Sequence, residues 1–149
     1  MTDAIHEGVT VEALQALLSE QSAFTRAFGF QVRAIEPGLC HLLVPFNPLF
    51  ERPGGILSGQ VYMTAADVAM WLAIKTLKGL HDTSVTVNMS TSFVRSARRE
   101  PVVCTARVLR LGARISHGSA ECFSEAGALL THHSLTYMRP EPRGPAGSA

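Results

Sequence analysis

The residues able to do chemistry gather in one short stretch of the chain. Asp67 stands inside residues 61–74, an almost wholly apolar run that reads as one helix. A helix that is apolar on every side is a buried helix. An ionised carboxylate in such a place is costly unless it is paired, hydrogen-bonded or open to a cleft. Just upstream, residues 53–60 read Pro-Gly-Gly-Ile-Leu-Ser-Gly-Gln, a glycine-rich turn that delivers the chain to the helix start. The first N–H groups of a helix have no partner within it and carry the positive end of its dipole. A carboxylate two turns inside such a helix has the makings of a general base or a nucleophile facing a polarising N–H. Thr64 lies one turn before Asp67 on the same side. It either positions water or the carboxylate, or bonds back onto its own helix.

The elements that must hold these residues follow from period and punctuation. Residues 10–18 form a short amphipathic helix, with Thr10 as its cap and Leu14, Leu17 and Leu18 on one face. Residues 1–9 read as frayed. Residues 22–28 make a further helical turn ended by Gly29. Strands over 30–35 and 39–46 form a hairpin about the turn Glu36-Pro37-Gly38, and 47–57 is a Pro/Gly-rich loop. The long helix spans about 59–77, roughly 28 Å at its usual rise, and Gly79 stops it. Four strand-like segments come after it, at 83–93, 101–111, 115–124 and 128–138. In the first of them Val85, Val87 and Met89 alternate with Thr86, Asn88 and Ser90. One apolar helix must pack on one face of an antiparallel sheet. The expected fold is therefore α+β, a curved antiparallel sheet wrapped around one long central helix, with a short helix before it. A single domain over 1–140 and a disordered Pro/Gly-rich tail over 141–149 complete the reading.

Composition narrows the classes. The chain has 149 residues, 46% hydrophobic and 17% charged, enough for a real core with apolar surface left for a subunit interface. A net charge of +1 gives no general case for nucleic-acid binding. Cys40, Cys104 and Cys122 are widely spaced and odd in number, so reduced thiols are expected. No basic-then-apolar leader is seen at the N-terminus, and residues 61–74 are too short to span a membrane. A soluble, cytoplasmic protein with no membrane partner is the expectation. His132 and His133 are neighbours in a strand, so their rings face opposite ways. No other spacing suggests a metal site.

The order of elements and three sequence stretches resemble the hotdog fold, and within it the PaaI-type acyl-CoA thioesterases. The first stretch is residues 55–60 followed by Ala65-Ala66-Asp67. The second is residues 85–90 running into Phe93-Val94-Arg95-Ser96-Ala97. The third is residues 111–114 with the closing Thr136-Tyr137. The resemblance covers roughly residues 29–138. In this family a His-Gly-Gly precedes a catalytic Asp or Glu by nine positions, counted from the His, and Asp67 lies nine after Ser58. Ser58 thus replaces the family's His and Gln60 its second Gly. Arg52 stands six before Ser58, where the family often has Asn or Gln.

The resemblance implies hydrolysis of an acyl-CoA to a free acid and CoA, without metal or other cofactor. Asp67 would attack the thioester carbonyl or activate water, and the Gly59 N–H would polarise the carbonyl oxygen. Ser58 would donate to that oxygen or cap the helix; no Gly-x-Ser-x-Gly elbow makes it a nucleophile. Arg52 and Gln60 join the substrate-binding set. Arg95, Arg98, Arg99 and Arg114 lie on the side where the family holds the CoA phosphates, which the planar guanidinium suits. The family also implies a homodimer, assembled further into a homotetramer, with Asp67 acting across the subunit interface. The alternatives are a non-catalytic acyl-CoA-binding hotdog protein and a hotdog dehydratase or hydratase. The latter typically uses a helix-start His, and residues 46–77 contain none.

Overall fold

The computed structural model describes residues 3–20, 22–142 and 144. Helix α1 (Val11–Glu20) starts where Thr10 Oγ1 accepts the Ala13 N–H at 3.1 Å. Helix α2 (Ala23–Phe28) begins at Ser22, whose hydroxyl accepts the Thr25 N–H, and ends at Gly29 in the left-handed region. Strands β1 (Gln31–Glu36) and β2 (Leu39–Val44) form the expected hairpin, with Gly38 at φ 71° in its turn. The Pro/Gly-rich loop contains a 3₁₀ turn at Pro48–Phe50 and a two-strand ribbon, β3 (Glu51–Arg52) with β4 (Ile56–Leu57). Helix α3 (Gly59–Lys78) follows, then β5 (Val85–Phe93), β6 (Val102–Leu111), β7 (Ile115–Phe123) and β8 (Leu129–Met138).

The main sheet has six antiparallel strands in the order β1-β2-β6-β7-β8-β5. It wraps around α3, which lies across β2, β6 and β7. Small residues on α3 let the helix sit close: Ala65, Ala66, Ala69 and Ala73 are fully buried. Gly118 on β7 receives Met70, and a Cβ there would stand 2.4 Å from both the Met70 methyl and the Arg107 carbonyl oxygen. Leu72, Leu42 and Leu135 close the core between helix and sheet. Each such fully buried side chain contributes about 1.5–3 kcal/mol of burial.

Two expectations are corrected. Residues 3–9 are not frayed: the His6 N–H donates to the Thr76 carbonyl at 2.7 Å, and Val9 is buried. This segment covers the C-terminal end of α3, which would otherwise expose apolar surface and free carbonyls. The strict alternation read along residues 85–90 is broken by a bulge at Val87, between Thr86 and Asn88. Thr86 pairs with Tyr137 and Met89 with Leu135, so Thr86 and Met89 face α3 together although they are three residues apart. Of the tail, Glu141 accepts a hydrogen bond from Arg114 at 2.8 Å, while Arg143 and residues 145–149 lie outside the described residues.

The link from α3 to β5 is held by a buried cation. Lys75 Nζ donates to the carbonyls of Leu80 and Asp82, each at 2.8 Å, and lies 4.8 Å from the Trp71 ring centre. Burial lowers its pKa, and the Asp82 charge opposes that shift.

Candidate active site

Asp67 sits on the one face of α3 that the sheet leaves uncovered. Its carboxylate is gripped from two strands. Thr86 Oγ1 donates to Oδ1 at 2.5 Å, and the Tyr137 hydroxyl donates to the same oxygen at 2.5 Å. Tyr137 also lies 2.7 Å from the Asp67 carbonyl. Both donors converge on Oδ1, and among the described residues Oδ2 receives no side-chain hydrogen bond. The half-buried charge is thus compensated on one oxygen and left available on the other. Burial, and next the Asp67 charge, raise the Tyr137 pKa, so its phenol stays a donor. Sequence reading missed both partners as site residues. Thr86 was hidden by the bulge. Tyr137 was readable as a tyrosine on the inner face of a strand, where its hydroxyl needs a partner.

Thr64, expected to assist, instead donates its hydroxyl to the Gln60 carbonyl at 2.8 Å, one turn back along α3. Ser58 is the N-cap residue by backbone position, but its side chain makes no cap bond and meets the Gln60 side-chain oxygen instead. Gly59 is the first residue of α3, so its N–H has no carbonyl behind it within the helix. The loop is stapled to the segment that follows β5: the Leu57 N–H donates to the Ala97 carbonyl at 3.0 Å, and the Ala97 N–H to the Tyr62 hydroxyl at 3.1 Å.

A hollow of about 270 Å³ opens at this helix start, lined by Arg52, Gly59, Tyr62, Phe93 and Arg95 among others. A Cβ on Gly59 would stand 3.0 Å from the Phe93 ring, so glycine keeps the hollow's floor open. Arg98 and Arg99 do not line it and bond instead to the β3–β4 ribbon. Arg98 donates to the Gly54 carbonyl at 2.8 Å, and Arg99 pairs with Glu51 at 2.9 Å. Arg114 is elsewhere. It precedes β7 where Ile115 pairs with Met138, whereas Phe93 at the Gly59 hollow pairs with Thr131 at the other end of β8. Its guanidinium is spent on Glu141.

Two further hollows flank Asp67. One, of about 270 Å³, lies toward Trp71, Ser84, Val85, Thr86 and Tyr137. The other, of about 490 Å³, is lined by Phe24, Thr25, Met63, Thr64, Val68 and Met89. Gly59 and Asp67 are eight residues apart on one helix, about 12 Å along its axis. One chain therefore cannot bring its own Gly59 N–H and its own Asp67 carboxylate to one reacting carbonyl. His133 is buried between the hydroxyls of Thr91 and Thr131, and His132 faces out, as their adjacency implied.

Comparison with known proteins agrees with this architecture. Residues 54–131 match the family model described as the thioesterase superfamily. A protein of Saccharolobus solfataricus, esterase by name, is 30% identical over 107 residues, 72% of this chain and 70% of that one. Zebra fish thioesterase superfamily member 2 superposes with a TM-score of 0.81 at 21% identity, covering 89% of this chain and 100% of that one. The E. coli PaaI protein of the phenylacetic acid degradation operon does so with a TM-score of 0.78 at 14% identity, covering 89% and 96%. At those identities the two structures establish a shared fold.

Proposed function

This chain belongs to the thioesterase superfamily, with the PaaI-type hotdog fold of a hydrolase acting on thioesters, and from that premise we propose that it cleaves acyl-CoA to free acid and CoA at a site shared by two copies. The observation that carries the reading is the Asp67 carboxylate, fixed through Oδ1 by Thr86 and Tyr137 with Oδ2 left for the reaction. Oδ2 removes a proton from water as the water attacks the thioester carbonyl. The negative charge that develops on the carbonyl oxygen meets the Gly59 N–H of the second copy, at the positive end of its α3. Such preorganised donors contribute on the order of 3 kcal/mol to lowering a barrier. The intermediate then expels the CoA thiolate, which takes up the proton.

The edge of the sheet supports the pairing of two copies. β5 ends the strand order, and its outer side has no neighbour among the described residues. Val85 and Val87 are 49% exposed and Phe93 58%. A long, apolar open edge is a liability that a partner strand removes. Arg52 and Arg95 then face the CoA arm at the Gly59 hollow, while Arg98 and Arg99 anchor the adjoining β3–β4 ribbon. Ser58 and Gln60 are left shaping the loop. The free, buried thiols of Cys40, Cys104 and Cys122 favour a reducing compartment such as the cytoplasm. Among the described residues no helix is long and apolar enough to cross a membrane.

The test is thiol release from a panel of acyl-CoAs by the native protein and by Asp67→Asn. The expected outcome is turnover that drops at least about a hundredfold on losing the positioned base. Equal rates for the two proteins would remove Asp67 from the mechanism. Binding of the esters without turnover by the native protein would replace hydrolysis with ligand binding.

A further inference from the structure

The larger hollow beside Asp67 has a chemical character that restricts the substrate. Its wall is built from three elements: Phe24 and Thr25 on α2, Met63, Thr64 and Val68 on α3, and Met89 on β5. Its volume, about 490 Å³, falls in the range of small-ligand sites. Four of these six side chains are apolar. The two that carry hydroxyls have no hydrogen left to offer. Thr25 Oγ1 donates within the fold, lying 3.0 Å from the Leu18 carbonyl and 3.2 Å from that of Ser22. Thr64 Oγ1 donates to the Gln60 carbonyl at 2.8 Å. Among the described residues no cationic side chain lines the wall, and the one charged group there is the Asp67 carboxylate. Phe24 is 64% exposed and Met63 38% exposed, so an aromatic ring and a thioether are left uncovered beside the reactive oxygen.

Resting on the thioesterase reading above, we infer that this hollow takes the acyl group, and that it selects apolar, uncharged acyl groups bearing no hydroxyl or carboxylate. Asp67 and Met63 line the same hollow, so an acyl chain lodged there lies against Met63. Methionine is unbranched and adapts to straight chains, and its sulfur also packs favourably against aryl rings. A hydroxyl carried into this wall gives up water and finds acceptors but no donor for its own oxygen, which costs affinity. A carboxylate meets the Asp67 charge with no cation to balance it. The Trp71 side of Asp67 is the poorer choice for the acyl chain, because Ser84, Thr86 and Tyr137 bring polar groups there.

The experiment measures kcat/KM for acetyl-, octanoyl-, phenylacetyl-, 4-hydroxyphenylacetyl- and succinyl-CoA. Dissociation constants for the same esters are read from the single tryptophan, Trp71, in Asp67→Asn. Phenylacetyl-CoA should exceed its hydroxylated analogue by about tenfold or more, the usual scale for stranding a buried polar group. Succinyl-CoA should fall lowest, and octanoyl against phenylacetyl separates a chain pocket from a ring pocket. Phe24→Ala and Met63→Gln, both at exposed positions, should lower octanoyl and phenylacetyl turnover relative to acetyl. Equal or better use of the hydroxylated or dicarboxylic esters overturns the assignment. So does a loss in either variant that is uniform across the panel, which would mean the hollow is filled by the second copy. Apolar-selective binding without turnover would keep the pocket and sink the hydrolase reading.

Discussion

At the scale of single residues, the proposed chemistry turns on which oxygen of Asp67 is free. Thr86 and Tyr137 both spend their hydrogens on Oδ1, so neither blocks Oδ2 and both fix its direction. Tyr137→Phe keeps the ring that fills the site and removes one donor. The carboxylate is then free to rotate about its remaining bond, and misdirected groups lose rate steeply. The expected result is a fall in kcat of about tenfold with KM little changed, since charge-assisted hydrogen bonds are worth a few kcal/mol at most. Thr86→Val should act in the same direction and Thr86→Ser should restore the rate. An unchanged kcat in both would remove the grip from the mechanism. A second residue-scale effect concerns stability. Burial pushes the Cys40 thiol up from its ordinary 9.0 to about 12. The native state thus keeps a proton that the unfolded chain gives up above pH 9, so this contribution is full below pH 9 and is lost as pH rises toward 12. Tyr137 acts with the same sign at higher pH. Denaturant titrations at pH 8 and pH 10.5 should show lower stability at the higher pH. Cys40→Ala should flatten that dependence, and an unaltered slope would refute the assignment.

At the scale of elements, α3 is positioned by how closely β7 lets it approach. Gly118 is the seat of Met70, and an added Cβ would strike backbone at Arg107, which cannot yield as a side chain would. Gly118→Ala should therefore cost about 1–3 kcal/mol through overpacking and lower Tm by roughly 3–10 °C, measured by thermal unfolding. A Tm within a degree of native would mean that α3 has room to shift. Most of this architecture was legible beforehand, because its signals are local. Glycines at 29, 38 and 79 punctuate the chain, and residues 61–74 could only be a helix buried by a sheet. What stayed hidden depends on pairing between distant segments. Nothing in residues 85–90 signals the bulge at Val87, because the alternation there is regular and the register is set by β8. Losing the bulge meant losing Thr86. Asp67 itself was legible from its apolar surroundings and Gly59 from the glycine loop. Thr64 was not separable from its back-bonded state, since both readings place the hydroxyl on the same helix face.

At the scale of the whole molecule, the helix that carries Asp67 and Gly59 also keeps them about 12 Å apart along its axis. The same geometry that forbids a site within one chain permits two sites in a symmetric pair, each joining Asp67 of one copy to Gly59 of the other. That arrangement can be tested without any structure of the pair. Asp67→Asn removes the base. Gly59→Pro removes only the N–H, because proline fits the first helical position and the preceding Ser58 already has the extended backbone that proline demands (φ −63°, ψ 138°). The ring would press on Phe93, which is 58% exposed and free to move. Each variant alone should be nearly inactive. Unfolded together in equal amounts and refolded, half the pairs are mixed, and each mixed pair has one site with both native residues. In a two-fold dimer, activity should therefore recover to about a quarter of native. A site contained in one chain predicts no recovery, because every chain in the mixture lacks one of its own two groups.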